Sequence, residues 1–258
     1  MKTRTLQVAF IISISIASIG CQFHSVQITS GKEYLSTYND YDNSEINASD
    51  LNEEVKLIAN LEPSIEFPSR IGLVKLFNGR ITNLSPDEVE AWENARRTMG
   101  SKFGEFIPVS PMIAEMVYTP KNTKSKSNIK SSEIFRKIRL GAARQHLDHV
   151  LVYEVFSETK TTKLASSVAN WTIVGGYFVP SREIETTGFA NALLIDVRNG
   201  YPYGTASAAL KATDFSASQT YRDKSRNLND MNQIATVIKL IPEVQQMMEK
   251  LMRNPKRA

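Results

Sequence analysis

The sequence predicts an α+β domain: a mixed, largely antiparallel sheet with helices packed on it. Three observations lead there. Residues 71–77 (IGLVKLF) and 150–156 (VLVYEVF) are near-continuous apolar runs of strand length, as expected of strands buried on both faces. Thr186–Ala212 reads as two strands folded back through Arg198-Asn199-Gly200-Tyr201, because Asn-Gly readily takes the positive φ of a tight turn. Helical apolar spacing begins after Ser85 and after Ser132, both good N-caps. Strands are therefore expected near residues 70–77, 103–109, 149–163, 185–198 and 202–213.

The domain starts at Ser69, with the first apolar run. Ser85-Pro86-Asp87-Glu88 then opens a helix: Ser85 caps, Pro86 takes the first helical position, and Glu88 reaches back to complete a capping box. Val89, Trp92, Ala95 and Met99 share a face, Arg96 and Arg97 suit the negative end of the helix dipole, and Gly100 stops it. Phe103–Val109 is a strand closed by Pro108 and Pro111. The lysine-bearing loop Pro120–Ser131 is read as a solvated connection, with a contact for anionic lipid headgroups or glycan phosphates as the alternative. In the helix Glu133–Leu147, Ile134, Ile138 and Ala142 repeat every four residues. The next strand outlasts its apolar half and continues in polar residues to Lys163. Asp214–Leu228 is a polar connection. Asp230 caps a last helix, Met231–Leu251, which Pro242 should kink or split. This helix lies across the sheet or stays apart from it.

The 258 residues suit one medium domain with additions, and 41% hydrophobic against 22% charged residues is ordinary for a globular chain. The net charge of +4 is not gathered into a stripe, so nucleic acid is not an expected partner. With a single cysteine, Cys21, an intramolecular disulfide and a cysteine-based metal site are both excluded.

Met1–Gly20 has a positive start (Lys2, Arg4) and an apolar stretch, Leu6–Ile19, that is short for a membrane span. Ser18-Ile19-Gly20-Cys21 resembles a bacterial lipoprotein signal. The resemblance implies cleavage before Cys21, acyl chains on that residue, and a membrane as first partner. Gln22, where an Asp would favour the inner membrane, implies the outer membrane, facing the periplasm. A secretory signal cut near Ala17, or an uncleaved anchor, is the alternative. Gln22–Pro68 is acidic and poor in apolar residues, and reads as a disordered tether holding at most a short helix, Leu51–Leu61. The expected layout is a signal over residues 1–20, lipidated Cys21 and tether over 21–68, the domain over 69–215, and a linker with the last helix over 216–258.

Residues that carry chemistry are few. His146 and His149 flank Asp148 at a helix–strand junction, which lacks the third or fourth ligand a metal site usually draws. Gly175-Gly176 matches neither phosphate-loop pattern, and no Gly-x-Ser-x-Gly elbow is present. Asp196 and Arg198 lie on one strand face and read as a structural ion pair. No catalytic residue, cofactor or metal site is expected. The remaining candidate is Val168–Pro180 (VANWTIVGGYFVP), whose Trp171, Ile173, Tyr177 and Phe178 are large for a solvated connection. They are read either as a partner contact or as core.

The succession IRLGAARQHLDHVLVYEV, a glycine-containing apolar insert ending in Val179-Pro180, then ALLIDVRNGYPYGTASA resembles the bacterial rhombotarget lipoproteins over about residues 70 to 215. It is more distantly similar to the αβ domain of the curli-secretion lipoprotein and of the lipoprotein activators of penicillin-binding proteins. The resemblance brings no catalytic residues with it. The expected function is that of a membrane-anchored envelope lipoprotein, a non-enzymatic binding or assembly accessory with an envelope protein partner. The alternatives are a subunit of an oligomeric secretion pore and an envelope hydrolase.

Overall fold

The computed structural model describes residues 23–27, 29–32, 35, 49–116, 131–164, 181–217 and 219–253 of the chain. Seven strands form one sheet: β1 (Phe23–Val26), β2 (Ser69–Phe77), β3 (Arg80–Thr82), β4 (Gly104–Pro108), β5 (His149–Lys163), β6 (Arg182–Asp196) and β7 (Pro202–Ser216). The order is β1-β7-β6-β5-β2-β3, and β4 shares the outer side of β2 with β3. β2 runs parallel to β5 and β4, and the other pairs are antiparallel. The protein is therefore an α+β domain with a mixed, mostly antiparallel sheet.

The helices are α1 (Ser49–Ala59), α2 (Pro86–Met99), α3 (Pro111–Met116), α4 (Ser131–Arg144) and α5 (Tyr221–Arg253). Strand alternation sends Ile71, Leu73, Leu151, Tyr153, Leu194 and Tyr203 to one face, where α2 and α5 cover them with Trp92, Leu240, Val244 and Met247. Val74, Val150, Val152 and Ile195 point to the other face, under Ile138 and Ala142 of α4. α4 covers only one end of its face. Beyond it, Glu154, Phe156, Glu158 and Lys160 of β5 are exposed. β5 is thus apolar where both faces are covered and polar where one face meets solvent.

Local signals hold. Ser85 caps α2 with both halves of the capping box in place, and Gly100 ends the helix at φ 83°. Glu88 of that box is also buried and takes a hydrogen bond from Lys75 Nζ at 2.8 Å, which ties α2 to β2.

Two expectations are corrected. The stretch Gln22–Pro68 is not wholly a tether: Phe23–Val26 pairs with Gly204–Ser207 as an edge strand, and Leu61, Ile65 and Phe67 pack against the core. A four-residue strand in polar surroundings has too little composition to betray it. The helix expected within this stretch is present as α1. At the other end of the chain, no linker separates the domain from its last helix. α5 starts at Tyr221, ten residues before the expected Met231, and its Val237, Leu240, Val244, Met247 and Met248 lie in the main core. Pro242 does not split α5. It sits on the exposed side, one turn after half-exposed Ile238, whose carbonyl water can reach after losing its helical donor.

Candidate functional site

The hairpin turn brings the polar residues of the core together. Ile195 pairs with Pro202 and Leu194 with Gly204, so an irregularity precedes the turn. Gly200, at φ 79°, takes the left-handed conformation there, while Asn199 does not. Its place in the turn is set by Asp196, whose Oδ1 accepts from the N–H of Arg198 at 2.6 Å and of Asn199 at 3.2 Å. The other carboxylate oxygen, Oδ2, accepts from Ser64 Oγ at 2.8 Å and Tyr203 Oη at 3.0 Å. The expected Asp196–Arg198 ion pair is present but long: the guanidinium is 3.8 Å away on a side chain that is 68% exposed, and Arg198 also contributes its backbone N–H.

His149 lies at the start of β5, opposite Asp196 in the ladder. Its Nδ1 is 2.6 Å from Ser69 Oγ at the start of β2, and its Nε2 is 3.8 Å from Asp196 Oδ2. With the ring proton on Nε2, facing the carboxylate, Nδ1 accepts from the Ser69 hydroxyl. Nε2 has no hydrogen-bond partner among the described residues. The ring also meets Tyr203 edge-on at 5.2 Å.

Ser69, His149 and Asp196 are the residue types of a hydrolytic triad, but their arrangement is different. In a triad the carboxylate orients one imidazole nitrogen and the serine is hydrogen-bonded to the other. Here the nitrogens are exchanged, with Ser69 on Nδ1, the carboxylate stands 3.8 Å off Nε2 without a hydrogen bond, and relative exposures of Ser69, His149 and Asp196 are 2%, 1% and 0%. Asp196 receives four hydrogen bonds, and with the Ser69–His149 contact they tie Ser64, β2, β5 and the hairpin to one another.

The electrostatics follow from burial. Burial holds His149 below the usual histidine range, with Asp196 and Asp148 pulling the other way. Burial would raise Asp196, but the hydrogen bonds from Ser64, Arg198, Asn199 and Tyr203 outweigh it and leave the carboxyl lowered. Tyr203 is pushed up to about 12, chiefly by burial.

Of the residues singled out in the sequence, the fold joins His149 and Asp196 and leaves His146 apart. His146 is exposed at φ 55°, its carbonyl accepting from Arg70 at 3.0 Å. Cys21 and Trp171, Ile173, Tyr177 and Phe178 lie outside the described residues. The described residues on either side of the last four, Leu164 and Ser181, are hydrogen-bonded to each other, Leu164 N donating to the Ser181 carbonyl at 2.9 Å. Ser64, Ser69 and Tyr203 were not found by sequence reasoning. Only Tyr203, an aromatic on the inward phase of β7, carried a signal. Among the described residues no group of three or more His, Cys, Asp or Glu is placed to hold a metal ion, and no helix is long and apolar enough to cross a membrane. An apolar cleft of about 400 Å³ opens between α1 and the start of β7, lined by Val55, Ile58, Leu61 and Tyr201.

No protein-family model matches the chain, and no curated protein matches it. Among solved structures it is similar to the PelC dodecamer from Paraburkholderia phytofirmans, at 10% identity and TM-score 0.34, over 89% of this chain and 97% of that one. It is also similar to lipoprotein GNA1162 from Neisseria meningitidis, at 17% identity and TM-score 0.29, over 64% and 98%. A third likeness is to the hypothetical protein CT253 from Chlamydia trachomatis, at 16% identity and TM-score 0.28, over 71% and 98%. Identity and TM-score are too low in all three to assign a family or an activity.

Proposed function

We propose that the protein is a bacterial envelope lipoprotein, held in a membrane by acyl chains on Cys21, whose domain binds an envelope protein partner and does not turn over a substrate. The observation that carries the non-enzymatic part is the burial of Ser69, His149 and Asp196 beneath Ser64, with Asp196 saturated by donors. The anchor rests on the sequence: the sole cysteine follows an apolar leader at the position where a lipoprotein signal needs it. Gln22 in place of Asp favours the outer membrane. Trp171, Ile173, Tyr177 and Phe178 are the proposed partner contact, since they are large apolar groups in a stretch that otherwise reads as a connection.

Two experiments test this. Metabolic labelling with a fatty acid should mark the protein and spare Cys21→Ser; label retained on Cys21→Ser defeats the anchor. Trp171→Ala with Phe178→Ala should melt like the parent and lose a crosslinked partner. If those rings are core instead, the pair should cost about 3–5 kcal/mol for each aromatic, and the contact reading falls. Hydrolysis of peptidoglycan or lipid by the purified domain, abolished by Asp196→Asn with His149→Asn, would favour the enzyme alternative.

A further inference from the structure

Cys21 is separated from the folded sheet by one residue, Gln22. β1 begins at Phe23, in register with Ser207. Three further contacts fasten this segment. Gln27 N donates to Tyr203 O at 2.8 Å, Ser25 Oγ meets Thr205 Oγ1 at 2.7 Å, and His24 Nδ1 lies 3.3 Å from the buried Glu243. We infer that the β1–β7 edge of the sheet is the surface that lies against the bilayer, an inference that rests on the acylation of Cys21.

The reach of the chain sets the distance. Two residues span at most about 7 Å, and neighbouring strands are about 4.8 Å apart, so the backbone of Ser207 stands within about 12 Å of Cys21. The headgroup layer of one leaflet is itself about 5–8 Å thick. An acylated Cys21 therefore brings the middle of β7 to the headgroup surface. The flexible tether of some 47 residues that composition suggests would have let the domain range about 35–40 Å away.

Charge and covering select the edge over either face. α5 covers one face along the length of β6 and β7. The part of the other face that no helix covers among the described residues carries Glu154, Glu158, Glu183 and Glu185 against Lys160 and Lys211, and Lys211 is paired with Glu185 at 2.7 Å. That acidic face would be repelled by lipid phosphates. The edge also limits its own depth. β1 pairs only with Gly204–Ser207, so the backbone of Ala208–Ser216 has no strand on that side among the described residues. Open strand edges are not tolerated in hydrocarbon, which keeps this edge at the level of the headgroups. β3 and β4, at the opposite edge, then point away from the membrane.

The test uses the full-length, acylated protein in vesicles of phosphatidylethanolamine and phosphatidylglycerol. Because Cys21 is the only native cysteine and is consumed by acylation, an introduced cysteine is the sole free thiol. A fluorophore at Lys211→Cys or Thr213→Cys should be quenched several-fold more by headgroup-nitroxide lipids than one at Arg80→Cys or Glu105→Cys. A long Gly-Ser spacer between Gln22 and Phe23 should erase the difference. Equal quenching at both edges, with Cys21 acylated by mass, overturns the orientation and leaves the anchor standing. A difference that persists with the spacer overturns the short leash as its cause. A Cys21 that carries no acyl chain overturns both.

Discussion

Asp196 shows how a buried carboxylate is held chiefly by hydrogen bonds. Two backbone N–H groups and two hydroxyls, drawn from Ser64 and Tyr203, donate to it, while the exposed Arg198 guanidinium stands 3.8 Å off. Asp196→Ala should therefore cost about 3 kcal/mol by urea denaturation, since it strands the buried Tyr203 hydroxyl together with three part-buried donors. Asp196→Asn should cost less. His149 imposes a pH dependence whose sign is fixed by its depressed pKa. Below the ordinary value of 6.5 the unfolded chain binds the proton first, so stability falls as pH drops through that value toward the lower folded pKa. Asp196 adds a second loss at lower pH, where protonation of its lowered carboxyl withdraws what the hydrogen bonds supply. Denaturation midpoints measured from pH 7.5 downward should decline through the first range in the parent and stay flatter in His149→Asn.

At the scale of elements, α5 and the β6–β7 hairpin depend on each other. Small residues, Gly188, Ala190, Ala206 and Ala208, let the helix approach the strands closely. A Cβ at Gly188 would stand 2.2 Å from both Asn232 Oδ1 and Thr236 Oγ1. Asn232 Nδ2 in turn donates to the Thr186 and Leu210 carbonyls, one on each strand, at 3.2 Å. Gly188→Ala should push the helix off its seat and lower stability by about 1–3 kcal/mol, read as a drop in melting temperature. A larger side chain there should cost more. The same contact explains why this helix is not an appendage: a chain cut before Tyr221 would expose the residues that Leu240, Val244, Met247 and Met248 now cover. Loss of cooperative melting in that truncation is the expected result.

Over the whole molecule, the first strand and the last helix, β1 and α5, meet beside β7. β1 is the edge strand beside β7, and His24 reaches Glu243 near the end of α5. Removing Phe23–Val26 should therefore destabilise the domain and leave Gly204–Ser207 as open edge, with self-association as the consequence. Light scattering together with melting would register both effects, and a variant that melts like the parent and stays monodisperse would show β1 to be dispensable.

What the sequence determined by itself is whatever short-range chemistry encodes. The capping box at Ser85, the glycine stop at Gly100 and the turn at Gly200 each arise within a few residues, and all are in place. The part of β5 that is covered on both faces was legible too, because such burial leaves a continuous apolar run whose end can be read. The tertiary structure decided the rest. Ser64 meets Asp196 across 132 positions and His24 meets Glu243 across 219, separations over which composition and periodicity carry no information. For the same reason β1 reads as tether and the start of α5 as linker, since neither is apolar enough to declare itself. Each is held by what it lands on: β1 by the open side of β7, and the first turns of α5 by Arg182, which lies over the Tyr221 ring at 4.1 Å, and by the Phe215 carbonyl, which accepts from Lys224 Nζ at 2.9 Å.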